Sequence, residues 1–148
     1  MKRFLFPVAL ATAALGGCAG LDIPTDPLTA NQWHLVAIER PSQPTVNLSG
    51  RAQDSHWIRF RQGGDFNASL DCNTGNGDWY RPGSGASGAR EGLLEIGEIA
   101  STRALCPSPS YGEEMAAALP LATAYEIYDN DRTLVVRTRT ASYRFTAR

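Results

Sequence analysis

The chain is poor in the residues that most often carry chemistry: one lysine, Lys2, two histidines and three cysteines among 148 residues. It also lacks any excess of positive charge, since 14 Lys+Arg against 15 Asp+Glu leave a formal net charge of −1. A general nucleic-acid binder shows a strong basic excess, so that class is excluded. No Cys-x-x-Cys spacing occurs, which removes the usual signature of a dithiol redox centre. No His pair has the local spacing of zinc ligands either. The longest apolar run, from Phe4 to Leu15, has twelve residues. A helix needs about twenty to span the hydrocarbon core, so this run is too short. There is no internal repeat.

What is present begins at the N-terminus. Lys2 and Arg3 precede the apolar run and small residues end it, the pattern of a secretion signal rather than an anchor helix. Leu15-Gly16-Gly17-Cys18 resembles the lipobox of bacterial lipoproteins, in which the Cys takes a lipid and cleavage falls just before it. The resemblance implies a signal peptide over residues 1–17, lipid on Cys18, and membrane attachment through acyl chains, each buried methylene adding about 0.8 kcal/mol. Residue 19 is Ala rather than Asp. By the same resemblance this favours the outer membrane, with the protein facing the periplasm. Residues 18–30 hold Pro24 and Pro27 and no periodic pattern, so they read as a lipidated tether.

Removing residues 1–17 leaves 148 − 17 = 131 residues, enough for one domain with a core, placed at 31–148. Lys2 goes with the signal, and 12 Arg against 15 Asp+Glu leave a side-chain charge of 12 − 15 = −3. Cys72 and Cys106 remain as an even pair in an oxidising compartment, where disulfides persist.

Short strands dominate the pattern. Residues 33–39 are apolar on both faces. In 56–61, Ile58 and Phe60 alternate with Trp57, Arg59 and Arg61, and Gly63-Gly64 turns the chain. Phe66, Ala68, Leu70 and Cys72 fall on one face of the next strand. Residues 73–90, rich in Gly and Ser, read as a loop, and 93–99 resumes strand character. Ser110 with Glu113 matches a capping box, followed by Met115, Ala118 and Leu119 at helical spacing and by Pro120, which ends a helix of about ten residues. Three strands finish the chain, with Leu134, Val136, Tyr143 and Phe145 facing inward.

The order of landmarks resembles the META domain, the module of HslJ-like heat-shock lipoproteins. Trp33 and Leu35, Phe60, Cys72-Asn73, Tyr80, and the stretch from Ile96 through Thr102-Arg103 into Cys106-Pro107 carry it. One departure is Asp71, where the pattern usually has Gly before Cys-Asn; another is the long Gly/Ser loop after Tyr80. The resemblance implies a mainly β fold of the α+β type: a compact antiparallel sheet curling toward a partly open barrel, with one short helix packed on it. It also implies a Cys72–Cys106 disulfide, a loose link to envelope stress and secretion, and no enzymatic activity or cofactor.

Several constellations compete with blander readings. His34 and His56 could join Asp71 around a metal, but isolated strand histidines are usually surface residues. Asp71 and Asp78 near Trp79 and Tyr80 could form an acid pair beside an aromatic platform, or simply a polar turn. Arg59 and Arg61, together with Arg137, Arg139, Arg144 and Arg148, form a basic stripe if their strands are neighbours. Planar guanidinium forks suit anionic lipid or an acidic partner, whereas a face neutralised by Glu126 and other carboxylates is merely solvated. The reading that follows is a non-catalytic envelope lipoprotein, a binding, assembly or stress-related module. The membrane is its first partner, through the lipid anchor, and an envelope protein or lipid its second. Trp79, Tyr80, Arg59, Arg61, Arg137 and Arg139 are its candidate contacts. The alternative is a periplasmic hydrolase inhibitor acting through the loop from Asn73 to Arg90.

Overall fold

The computed structural model describes residues 26–83 and 88–148. The expected signal peptide at 1–17, Cys18 and the loop tip at 84–87 lie outside the described residues. Fifteen elements follow in order: α1 (Pro27–Ala30), β1 (Trp33–Glu39), β2 (Val46–Asn47), α2 (Gly50–Ser55), β3 (His56–Phe60), β4 (Asp65–Leu70), β5 (Asn73–Tyr80), β6 (Glu91–Leu93), β7 (Glu95–Ile96), β8 (Ala100–Ser101), α3 (Gly112–Ala118), a 3-10 turn (Leu119–Leu121), β9 (Ala122–Tyr128), β10 (Thr133–Thr138) and β11 (Ser142–Ala147). Among the described residues no helix is long and apolar enough to cross a membrane.

Alternation of side chains fixes the pairing. Ile58 sits opposite Ala68 and Phe60 opposite Phe66, all buried, while Arg59 and Asn67 oppose each other on the outer face. A one-residue slip would turn every one of these side chains over, so the apolar face sets the register. The same logic pairs Leu134 with Phe145 and Val136 with Tyr143 on the inner face of β10 and β11.

All strand pairs are antiparallel, in the order β9-β10-β11-β1-β3-β4-β5. The segment from Glu91 to Ile96 joins the two edges. Its first half, β6, pairs with β9, and its second half, β7, pairs with β5. Leu94, between them, is fully buried and its amide donates to the Thr123 carbonyl at 3.3 Å. One split strand thus closes seven others into a barrel. At eight strands a barrel interior is about wide enough for side chains to fill it. Here Trp33, Phe60, Phe66, Tyr125, Tyr143 and Phe145 occupy it, all 0 or 1% exposed.

Antiparallel order also sorts the connections into two ends. α1 precedes β1 and lies at the end where β3, β5, β9 and β11 finish. The β4–β5 hairpin, α2 and α3 with its 3-10 turn lie at the opposite end. Leu28 of α1 is completely buried, and its carbonyl accepts the Trp33 indole N–H at 2.9 Å. The last residues of the segment read as a tether, 26–30, therefore belong to the domain.

Two further expectations are corrected, and the condition for a basic stripe is not met. Residues 73–80 form a strand rather than the start of a loop. Gly75 and Gly77, which read as loop residues, sit where the chain at 98–100 lies against β5: an added Cβ would stand 2.6 Å from Ile99 Cγ2 and 2.7 Å from Glu98 O, respectively. The helix starts two residues after Ser110, at Gly112, and Ser110 caps nothing. Its N-cap is Tyr111, without a side-chain cap bond; instead the Tyr111 amide donates to His56 Nε2 at 3.1 Å. Finally, β3 and β10 are not neighbours, since β11 and β1 stand between them.

Candidate functional site

Trp79 does not face a partner. It is 8% exposed, its indole N–H donates to Arg61 O at 3.0 Å, and its ring packs edge-on against Phe60 with centroids 5.1 Å apart. Alternation then puts Tyr80 outside, at 56% exposure, with its hydroxyl bonded to Glu95 Oε2. That bond holds the Tyr80 pKa above its ordinary value. A hydrolase-blocking loop with Trp79 as its anchor loses that anchor.

The arginines divide into two groups. Arg59 and Arg61 lie on the outer face of β3, where Arg61 Nε donates to Asn67 Oδ1 at 2.9 Å. Arg137 pairs with Glu126 at 2.7 Å, Arg144 with Glu39 and Arg148 with Asp54. Interleaved carboxylates neutralise most of the second group, and the separation of β3 from β10 breaks the stripe. Arg59 and Arg139 make no ion pair among the described residues.

Both histidines are structural rather than surface residues. His56 is fully buried, with Nδ1 2.6 Å from Ala52 O and Nε2 accepting from Tyr111. The Nδ1-protonated tautomer, assigned from these partners, satisfies both. His34 lies between Gln32 and the Gln53 carbonyl, and desolvation lowers its pKa, only partly countered by that carbonyl. Among the described residues no group of three or more His, Cys, Asp or Glu suits a metal ion. Asp71 and Asp78 lie near opposite ends of β5, roughly 20 Å apart at strand rise, so they form no acid pair.

The most highly organised surface feature lies at the end opposite α1. Cys72 and Cys106 form a disulfide. Beside it, the buried Asn73 side chain uses all of its capacity. Its Nδ2 donates to Ala104 O at 2.9 Å and to Cys106 Sγ at 3.3 Å, and its Oδ1 accepts from Ala104 N at 2.7 Å and Thr102 Oγ1 at 2.9 Å. Thr102 Oγ1 in turn accepts from the Thr74 amide at 3.1 Å, and the Thr102 amide donates to Thr74 O at 3.1 Å. Asn73 is the buried centre of this network and its partners Thr74, Thr102 and Ala104 are exposed; with every Asn73 donor and acceptor satisfied, the segment is held firmly at its root.

This clamp holds a segment, residues 102–107, that has neither helix nor strand. Its crest is Leu105, 99% exposed. Beside the loop a cleft of about 370 Å³ separates it from α3, lined by Leu70, Asn73, Ile99, Thr102, Arg103 and Ala116 among others. Neither Asn73 nor Leu105 stands out from composition or periodicity. The one signal for the clamp is the Cys-Asn and Thr-Arg-x-x-Cys-Pro spacing, which points to the cysteines and leaves the roles of Asn73 and Thr102 unread.

The sequence matches the family model described as the META domain over residues 26–148. No curated protein matches the chain. Among solved structures, a DUF4847 family protein from Bacteroides vulgatus is similar at 19% identity and a TM-score of 0.54, over 80% of this chain and 93% of that one. A protein from Burkholderia xenovorans is similar at 13% identity and a TM-score of 0.56, over 100% of this chain and 99% of that one. Both are likenesses of fold.

Proposed function

This chain belongs to the META domain family, and from that premise we propose that it is a non-catalytic binding module of the bacterial cell envelope. Lipid on Cys18 anchors it to the outer membrane, facing the periplasm. It meets a protein partner through the clamped loop at 102–107. The observation that carries this reading is the pairing of a filled barrel with a fully exposed Leu105 on a rigid loop. An interior packed with aromatic rings offers no chamber for a lipid, so recognition falls to the outer surface. The histidine nitrogens and both domain thiols are already engaged in the fold, which supports binding over catalysis.

The two-ended layout fits an anchored protein. Seven residues lie between Cys18 and Asp26, and the eight steps from one to the other reach at most about 28 Å when extended. α1 would then lie toward the membrane and the clamped loop away from it. Two measurements test this. Labelled fatty acid should enter the wild-type protein and be absent from Cys18→Ser. A photocrosslinking residue placed at 105 should give discrete adducts in intact cells, while one at the exposed Tyr128, at the α1 end, should not. Label retained by Cys18→Ser defeats the anchor, and adducts from position 128 alone defeat the docking end.

A further inference from the structure

We propose that residues 102–107 are a substrate-like inhibitory loop for a serine endopeptidase with an apolar specificity pocket, and that Leu105 is the side chain that fills the pocket. The inference rests on the reading that this loop is the docking surface, and adds the class of partner.

An endopeptidase binds substrate as an extended strand, pairing its own backbone with alternate residues and sinking one side chain in a pocket. The loop presents that pattern. Ala104 points its amide and carbonyl inward, both bonded to Asn73. The amides and carbonyls of its neighbours, Arg103 and Leu105, have no hydrogen-bond partner among the described residues and remain free for an enzyme's strand. Leu105 projects at 99% exposure. An exposed leucine alone says little, but this one stands on a loop already immobilised on both flanks. Thr102 and Ala104 are bonded to Thr74 and Asn73 before it, and Cys106 is cross-linked to Cys72 after it. A loop ordered beforehand binds without the ordering cost a flexible substrate meets.

The same clamp makes the loop a poor substrate. Attack by the enzyme's serine on the Leu105 carbonyl would break the Leu105–Cys106 bond, leaving Leu105 as an acyl ester and the Cys106 nitrogen as an amine. Release would need one water, giving a Leu105 carboxylate. The amine, however, is held in place by the disulfide, and the acyl side by Asn73. Tethered next to each other, they re-form the peptide and expel the serine, because intramolecular reaction outruns hydrolysis at high effective concentration. The loop therefore stays intact and bound.

The test uses the full lipoprotein, purified in detergent with its disulfide intact, against chymotrypsin, subtilisin and trypsin hydrolysing small chromogenic substrates. At equimolar micromolar concentration, chymotrypsin or subtilisin should lose at least tenfold activity and trypsin should lose none. Leu105→Lys, a change at a side chain the fold does not use, should move the inhibition to trypsin and relieve the other two enzymes at least tenfold. Reduction of the disulfide should turn the inhibitor into a substrate cut after Leu105. Three outcomes each overturn the proposal: no inhibition by wild type, no transfer with Leu105→Lys, or rapid cleavage at 105–106 with the disulfide present. Crosslinks from position 105 in cells without inhibition would remove the peptidase and leave the docking end standing.

Discussion

Asp71 holds φ at +66° in the β4–β5 hairpin, a left-handed conformation that glycine adopts freely and that Asp and Asn tolerate better than other residues. This is the physical content of the family pattern's glycine at that position. Asp71 meets the backbone requirement at a cost, because its side chain is only 2% exposed and Oδ2 has no hydrogen-bond partner among the described residues. Arg51, 71% exposed and 3.5 Å away, offsets little of it. Replacing Asp71 by Gly should therefore stabilise the protein by about 1 kcal/mol in urea unfolding; an unchanged or lower midpoint would show that the carboxylate is satisfied after all. His34 gives a second residue-scale expectation. Its lowered pKa means that the folded protein takes up a proton there less readily than the unfolded chain. The stability it contributes is complete above about pH 6.5 and is lost as pH falls through the folded value. Urea midpoints measured from pH 7.5 to pH 5 should fall less steeply for His34→Gln than for wild type, and equal slopes would contradict the shift. At this scale the cysteine pair was legible because chemistry marks it. Trp79 and Leu105 were not, because an indole and an isobutyl group look alike in sequence whether turned inward or outward.

Elements whose two faces differ in polarity could be read directly: β3, β4, β10 and β11 alternate, and the inward residues named from that alternation are buried, except Cys72, which falls beyond the end of β4 at the hairpin and is exposed. β5 could not, since the feature that makes it a strand is external to it. Its sequence NTGNGDWY looks like a turn until the segment at 95–101 is laid along it, and only glycine leaves room at that approach. Split closure through β6 and β7 was hidden for a similar reason, because two and three residues carry too little periodicity to announce a partner. The close approach makes a sharp expectation. Gly77→Ala would place a Cβ 2.7 Å from the Glu98 carbonyl oxygen, a backbone atom that can move only by unzipping β7 and β8 from β5. Overpacking of this kind costs about 1–3 kcal/mol. Gly97→Ala, across the same interface, meets Asp78 O at 3.5 Å, an ordinary contact, and should leave the melting temperature close to wild type. Calorimetry that found the two variants equal would mean that the overlay does not need its glycine.

At the scale of the whole molecule, closing a barrel removes its edges but leaves two open ends, and each end here is sealed by a different device. The far end is held by α3, whose Glu114 bonds both Arg40 and Tyr143, and by the disulfide, worth about 3–4 kcal/mol for a loop of this length in the chain-entropy model. The near end is held by α1, five residues short of where composition placed the start of the domain. Proline and polarity made 26–30 look like tether, and burial of one leucine makes it a plug. Leu28 is 0% exposed, its carbonyl satisfies the Trp33 indole, and Asp26 pairs with Arg81, whose guanidinium lies 5.4 Å from the Trp79 ring and 5.6 Å from that of Tyr125. Cutting the chain at Asn31 would open the barrel over Leu28, strand the Trp33 donor and remove the Asp26 carboxylate that Arg81 contacts. Loss of a buried leucine alone costs about 2–5 kcal/mol, against a total stability of roughly 5–15 kcal/mol for a domain. A chain beginning at Asn31 should therefore melt on the order of 15 °C below one beginning at Asp26, and Leu28→Ala in the longer chain should account for the larger part of that drop. Equal melting of the two chains would return α1 to the tether. Under the proposed anchor at Cys18 the expected difference has a mechanical meaning: the residues that would lead to the membrane also stopper the barrel, so a pull on that anchor would be resisted first by α1 and not by the strands behind it.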